Sequence, residues 1–126
     1  MSSIAIGVGC RKGCPAQAIE TLIRQAIGLA PTSETLGLFT LEDKRGELGM
    51  VQAANHLGFG IVYLSREALL ERADAVLTPS QHAEKLFGVP SVAEAAALAG
   101  AGPGSILIVP RIAAGGVTCA IAGFAP

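Results

Sequence analysis

Apolar residues fall into two kinds of run along this chain. Ile4, Ala5, Ile6 and Val8 make a short block with no charged residue, the form of a strand buried on both faces. From Pro15 to about residue 30 the period changes: Ile19, Leu22, Ile23, Ala26 and Ile27 recur at steps of three and four, opposite Glu20, Arg24 and Gln25. That predicts an amphipathic helix with Pro15 as its first residue, where a fixed φ and a missing N–H cost nothing. Pro31-Thr32-Ser33 breaks the pattern, and Leu36, Leu38, Phe39 and Leu41 predict a second strand. A charged turn over residues 42–46 leads into a second helix near Glu47, with Leu48, Val51, Ala54 and Leu57 facing inward and Gly58 at its end. Residues 61–64 predict the third strand.

Ser65 caps a short helix containing Leu69 and Leu70, and Pro79-Ser80 opens another that stops at Phe87-Gly88. Ser91-Val92-Ala93-Glu94 has the form of a capping box, in which the serine accepts an amide three residues on and Glu94 reaches back. An Ala-rich helix follows, stopping at Gly100. Residues 106–109 and 117–122 are two more strand-like runs, separated by Ala113-Ala114-Gly115-Gly116 and close enough for a hairpin. Strands alternating with helices, then a hairpin-like pair, predict an α/β protein: a single three-layer α/β/α domain over residues 1–126, with a mixed, mostly parallel sheet of about five strands.

Composition narrows the function classes. Nine Lys and Arg against ten Asp and Glu, without a basic cluster, give no electrostatic footprint for nucleic acid, and the absence of Trp removes stacking platforms for bases. The N-terminus lacks the cationic region of a signal peptide, and no uncharged apolar stretch reaches about eighteen residues. A soluble, cytoplasmic protein with no membrane partner is expected. Three cysteines do not make a disulfide framework, and Cys10-x-x-x-Cys14, like His56 and His82, has no ligand-spaced partner. No metal and no cofactor are expected.

The candidate chemistry lies in loops. Gly7 to Cys14 puts three glycines, Arg11, Lys12 and two thiols between the first strand and its helix, where free amides and cations favour an anion. A plain strand-to-helix turn with solvated cations is the alternative. Strands running one way would bring this loop together with Asp43, Lys44 and Glu47 after strand two and with Pro110 and Arg111 after strand four, a site for a polyanion. Gly7-x-Gly9-x-x-x-Gly13 is one residue too long for the dinucleotide fingerprint, and no phosphate-loop motif occurs. A thiol at a helix start beside cations is a possible nucleophile, yet neither histidine is tied to it as a base. Asp43 and Glu47 could do acid/base work, or simply sit in a first turn favoured by the helix dipole.

Three stretches in order carry a family resemblance: Gly7-Val8-Gly9-Cys10-Arg11-Lys12-Gly13, then Thr40-x-x-Asp43-Lys44-x-x-Glu47-Leu48-Gly49, then Gly88-Val89-Pro90-Ser91-Val92-Ala93-Glu94-Ala95-Ala96-Ala97-Leu98. With Thr118-x-Ala120 after them, the chain closely resembles the cobalamin-biosynthesis family of CobE and the C-terminal domain of CbiG. The resemblance implies a role in building the corrin ring of vitamin B12. The ligand it implies is a precorrin or corrinoid intermediate, an apolar tetrapyrrole rimmed by acetate and propionate carboxylates. The binding residues it implies, together with the loop reading, are Gly9, Cys10, Arg11, Lys12, Gly13, Thr40, Asp43, Lys44, Glu47 and Arg111, the last standing where the family commonly has Lys. Nothing before Met1 corresponds to the CbiG N-terminal region, so the expected type is stand-alone, a carrier or accessory factor that meets other enzymes of the pathway. The alternative is a pathway hydrolase related to the opening of a cobalt-precorrin lactone, with Asp43 and Glu47 as candidate catalytic residues.

Overall fold

The computed structural model describes residues 3–31 and 34–125; Thr32 and Ser33, in the expected break after the first helix, lie outside them. The chain runs β1 (Ser3–Cys10), α1 (Ala16–Leu29), β2 (Glu34–Leu41), α2 (Leu48–Leu57), β3 (Ile61–Leu64), α3 (Arg66–Leu70), α4 (Gln81–Phe87), α5 (Ala93–Ala101), β4 (Ile106–Ala114) and β5 (Val117–Gly123). Glu42–Lys44 and Ala73–Ala75 are single 3-10 turns. One five-stranded sheet has the order β3-β2-β1-β5-β4. β1, β2 and β3 pair in parallel, whereas β5 is antiparallel to both of its neighbours, so β4 runs in the same direction as β1. The expected mixed α/β domain is what the chain forms.

The alternation along β1 decides what covers each face. Ile4, Ile6, Val8 and Cys10 join Ile19, Leu22, Ile23 and Ala26 of α1 and Met50, Ala53 and Ala54 of α2 in one core. The intervening Ala5, Gly7 and Gly9 are small, and on that side lie α3, α4 and α5. A Cβ on Gly7 would stand 1.9 Å from the carbonyl oxygen of Ala93, so α5 rests directly on the strand backbone. The alanines of α5 complete the fit: Ala93, Ala95, Ala96, Ala97 and Leu98 are all buried.

Four expectations shift. Pro15 is the extended residue before α1, not its first helical residue. In α2 the buried face is Met50, Ala53 and Ala54, while Leu48 is 67% exposed and Val51 also faces out. The cause is Gly49, where a Cβ would lie 2.1 Å from the oxygen of Cys14: this glycine edge must face the opening loop, which turns Leu48 to solvent. α5 runs through Gly100 to Ala101, because the Phe39 ring occupies the space a side chain at position 100 would need. β4 continues through Pro110 and Arg111 on the sheet edge, where its register with β5 slips between Val109 and Ile112 and a residue without an N–H is tolerated. The hairpin turn is Gly115-Gly116, both at positive φ (61° and 82°), as a two-residue turn of this hand requires.

Two polar side chains, Glu94 buried and Arg72 half-buried, tie the α5 side together. The capping box forms by half: Ser91 Oγ accepts the Glu94 N–H at 3.0 Å, but the Glu94 carboxylate turns to the backbone N–H groups of Leu77, Thr78 and Arg111 instead of back to residue 91. Burial pushes that carboxyl up, and the hydrogen bonds from Arg111, Thr78 and Leu77 outweigh it, leaving the group below the usual carboxylate range. Arg72 donates to the carbonyls of Leu98, Gly102 and Ser105 and to Ser105 Oγ, capping the C-terminal end of α5 with a cation where the helix dipole favours one.

Candidate functional site

Because β1, β2 and β4 run the same way, their carboxyl-terminal segments rise at one edge of the sheet, and a cleft of about 1090 Å3 opens there. Gly9 and Cys10 at the end of β1 line it with Arg11 and Lys12 of the opening loop, and residues 43–47 form the next side. Ser80, His82, Leu86 and Phe87 on and just before α4 close a third side, and Arg111, Ala113, Ala114 and Thr118 of the hairpin form the fourth. Ser91 and Val92 bring the start of α5 to the cleft as well.

Five cations line this space, Arg11, Lys12, Lys44, Arg45 and Arg111, against the carboxylates of Asp43 and Glu47. Among the described residues the ion pairs are those of Glu20 with Arg24 and with His56, well away from the cleft, so none of the five is neutralised by a carboxylate within 4.0 Å. Two are steadied by aromatic faces instead: Lys44 Nζ lies 4.8 Å from the centre of the Phe87 ring and the Arg45 guanidinium 4.3 Å from that of Tyr63. Arg11 is placed by the hairpin. Its N–H donates to the Gly116 carbonyl at 2.9 Å, and its stem lies over Gly116, where a Cβ would come within 3.2 Å.

Of the ten expected binding residues, eight line the cleft: Gly9, Cys10, Arg11, Lys12, Asp43, Lys44, Glu47 and Arg111. Thr40 and Gly13 do not. Thr40 is fully buried with its hydroxyl donating to the Val8 carbonyl, and the Gly13 N–H donates to Glu47 Oε1 at 2.8 Å. One amide of the opening loop is therefore taken by a carboxylate of the protein itself, and α2 packs through Gly49 against Cys14 and Ala16 at the start of α1. Glu47 precedes α2 and ties the two loops together, while Asp43 sits exposed in the 3-10 turn, so the two are not a pair within one helical turn. Arg111 is presented by the slip within β4, not by a loop after it. The α4 wall went unread because nothing in the local sequence says which way a short capped helix will fold back; its nearest signal is the motif beginning at Gly88.

The thiols do not behave as helix-start nucleophiles. Burial pushes Cys10 up to about 11, with Lys44 pulling down and Glu47 and Cys14 adding to the rise. Burial likewise raises Cys14, and Cys119 is pushed up to about 12. Desolvation outweighs the neighbouring cations, and all three stay protonated at neutral pH. An unfolded thiol releases its proton above about pH 9, whereas folded Cys10 holds it to about 11, so this contribution to stability is full below 9 and falls as pH climbs between those values. Thermal unfolding followed from pH 7 to 11 is expected to show that decline, with alkylation of the thiols slow until the same range. Rapid alkylation of Cys10 at pH 7 in the folded protein would refute it. Among the described residues no three His, Cys, Asp or Glu side chains gather as a metal would need, and no helix is long and apolar enough to cross a membrane.

Fold and site together define a class: α/β domains with a mixed sheet and a cation-rimmed cleft at the carboxyl edge of the parallel strands. The family described as Cobalamin synthesis G C-terminus matches residues 4–122, and the chain belongs to that family, whose members serve cobalamin biosynthesis. It is 30% identical to Protein CobE of Sinorhizobium sp over 97% of this chain and 80% of that one. It is 31% identical to the cobalt-precorrin-5A hydrolase of Priestia megaterium over 94% of this chain, yet spans just 32% of that protein. Among solved structures, that of CobE, a protein from the cobalamin (vitamin B12) biosynthetic pathway, superposes with a TM-score of 0.90 at 32% identity, covering 98% of this chain and 92% of the other. Cobalamin biosynthesis protein chiG from Agrobacterium tumefaciens gives a TM-score of 0.75 at 33% identity, covering 98% and 99%.

Proposed function

We propose that this protein binds a precorrin or corrinoid intermediate in the cytoplasm and serves as a carrier or accessory factor of cobalamin biosynthesis. The observation that carries the reading is the set of five cations around one open cleft, none of them paired with a carboxylate among the described residues. A tetrapyrrole at this stage has carboxylates around its rim and an apolar face. Cations at the edge of the cleft suit the first, and Leu86, Phe87, Val92, Ala113 and Ala114 suit the second. Exchanging bulk water for charge-assisted contacts contributes about 1.5–3 kcal/mol each where the pair is shielded, and less at an exposed rim.

A second reading, hydrolysis of the intermediate, is favoured by the 31% identity to the cobalt-precorrin-5A hydrolase. Asp43 would then be the base, since it lines the cleft with no hydrogen-bond partner among the described residues, while Glu47 is held by Gly13. Titration with purified pathway intermediates separates the two. A shift in macrocycle absorption with unchanged ligand mass supports the carrier, whereas catalytic change in mass supports the hydrolase. Failure of every intermediate to bind at low salt would defeat both.

Lys44→Ala is expected to weaken binding about tenfold, the loss of one charge-assisted contact. Folding stability is expected to fall by no more than about 1 kcal/mol, because what is lost in the free protein is one half-exposed cation–π contact with Phe87. Paired titrations and urea denaturation check this, and unchanged affinity would take Lys44 out of the site.

A further inference from the structure

We infer that Glu94 is a positioning residue for the cleft, holding its α4 wall and its Arg111 wall at a fixed separation; this rests on reading the cleft as the binding site. The residue sits in the first turn of α5 and is 0% exposed. Each of its carboxylate oxygens serves a different wall. Oε1 accepts the N–H groups of Leu77 at 2.9 Å and Thr78 at 2.8 Å, the segment that enters α4; Oε2 accepts the N–H of Arg111 at 2.8 Å.

Both walls need an acceptor from outside themselves. Pro110 has no N–H, Arg111 falls in the slip where β4 and β5 have no paired register, and the Arg111 amide would otherwise be an orphan donor. On the other side, Ser80 caps α4 by accepting the Ala83 N–H and gives its own N–H to the Pro90 carbonyl. The two residues before Pro79 are fixed by Glu94 alone among the hydrogen bonds of their amides. Among the described residues no cation lies within ion-pair distance of the carboxylate, so its charge is answered by backbone amides and not by a salt bridge. The helix that carries it cannot drift, because Gly7 lets α5 sit against β1 at backbone contact. A rigid post with two acceptor oxygens, one per wall, is what a cleft assembled from separate chain segments requires.

Glu94→Gln keeps the size and discriminates positioning from mere filling. The amide oxygen can keep two bonds by facing Leu77 and Thr78, which turns the NH2 group toward the Arg111 N–H, donor against donor, and releases that wall. Amide hydrogen exchange followed by NMR needs no ligand: in the variant the Arg111 amide is expected to exchange at least about tenfold faster, with Leu77 and Thr78 changed much less. Equal protection of Arg111 in the two proteins overturns the proposal. Should the variant not fold, the wild type still decides: an Arg111 amide that exchanges as fast as an unprotected surface amide, despite its buried acceptor, overturns it too.

The binding arm uses uroporphyrin, a fluorescent tetrapyrrole with a carboxylate on every side chain. Arg111→Ala is expected to lower its affinity about tenfold in the wild type and less than about threefold in the Glu94→Gln background, because Arg111 is already displaced there. Equal losses in both backgrounds mean that Glu94 does not act through Arg111 and overturn the proposal. If wild-type protein does not bind uroporphyrin or any corrinoid, the binding reading falls, while the exchange experiment still decides whether Glu94 holds the two walls.

Discussion

Gly7→Ala is expected to destabilise the protein by at least about 3 kcal/mol, the upper range for forcing extra volume into a packed interior. The added Cβ would lie 1.9 Å from the Ala93 carbonyl oxygen and 2.6 Å from the Ala97 nitrogen, both backbone atoms that no rotamer change can move. α5 would have to lift off β1, and with it the buried contacts of Ala93, Ala97 and Leu98 against Ala120 and Ala122. Gly28→Ala provides the opposite outcome from the same chemical change. Position 28 lies in α1 with ordinary negative φ and open space around it, so removing glycine is expected to stabilise by about 0.5–1 kcal/mol. Urea denaturation of the two variants checks the pair. A Gly7→Ala protein with the wild-type midpoint would mean that α5 does not sit on the strand as described.

Replacing Arg11 and Lys12 together by alanine is expected to lower affinity for a polycarboxylate tetrapyrrole by about a hundredfold at low salt, with the remaining affinity less sensitive to added salt. Both side chains are exposed and neither is paired with a carboxylate among the described residues, so their charge is available to a ligand. Arg11 lies across Gly116 in the hairpin turn, so its head is held at the cleft and little side-chain freedom is lost on binding. The fold should be unaffected, since Arg11 contributes to it through a backbone N–H that alanine retains. Fluorescence titration at two ionic strengths measures both parts of the expectation. Wild-type affinity in the double variant would place the ligand elsewhere, and a loss independent of salt would show that packing rather than charge had been removed.

Much of this was legible along the chain, for reasons that are local. The stripe Ile19, Leu22, Ile23, Ala26 is set by helical period, the residues capping α3 and α4 are set by Ser65 and Ser80, and the hairpin turn is set by two glycines that accept positive φ. The convergence of Arg11, Lys12, Asp43, Lys44 and Arg111 on one edge also followed from sequence, given that strands one, two and four run in one direction. The order of motifs pointed to the family before any fold was in hand.

What the sequence could not decide is where side chains end when two distant segments compete for the same space or the same hydrogen bond. Glu94 has the spacing of a capping box, yet its carboxylate serves three amides contributed by two other segments, because those amides would be left without this acceptor if it turned back to residue 91. Thr40, a binding residue that the family motif implies, gives its hydroxyl to Val8, and the Gly13 amide goes to Glu47. Leu48 reads as core and faces solvent, because Gly49 must meet Cys14. The sequence by itself determined period, caps, turns and the strands whose ends carry charge. Tertiary structure alone decided which polar groups remain free for a ligand, because that depends on which buried donors and acceptors the packed segments must first satisfy in one another.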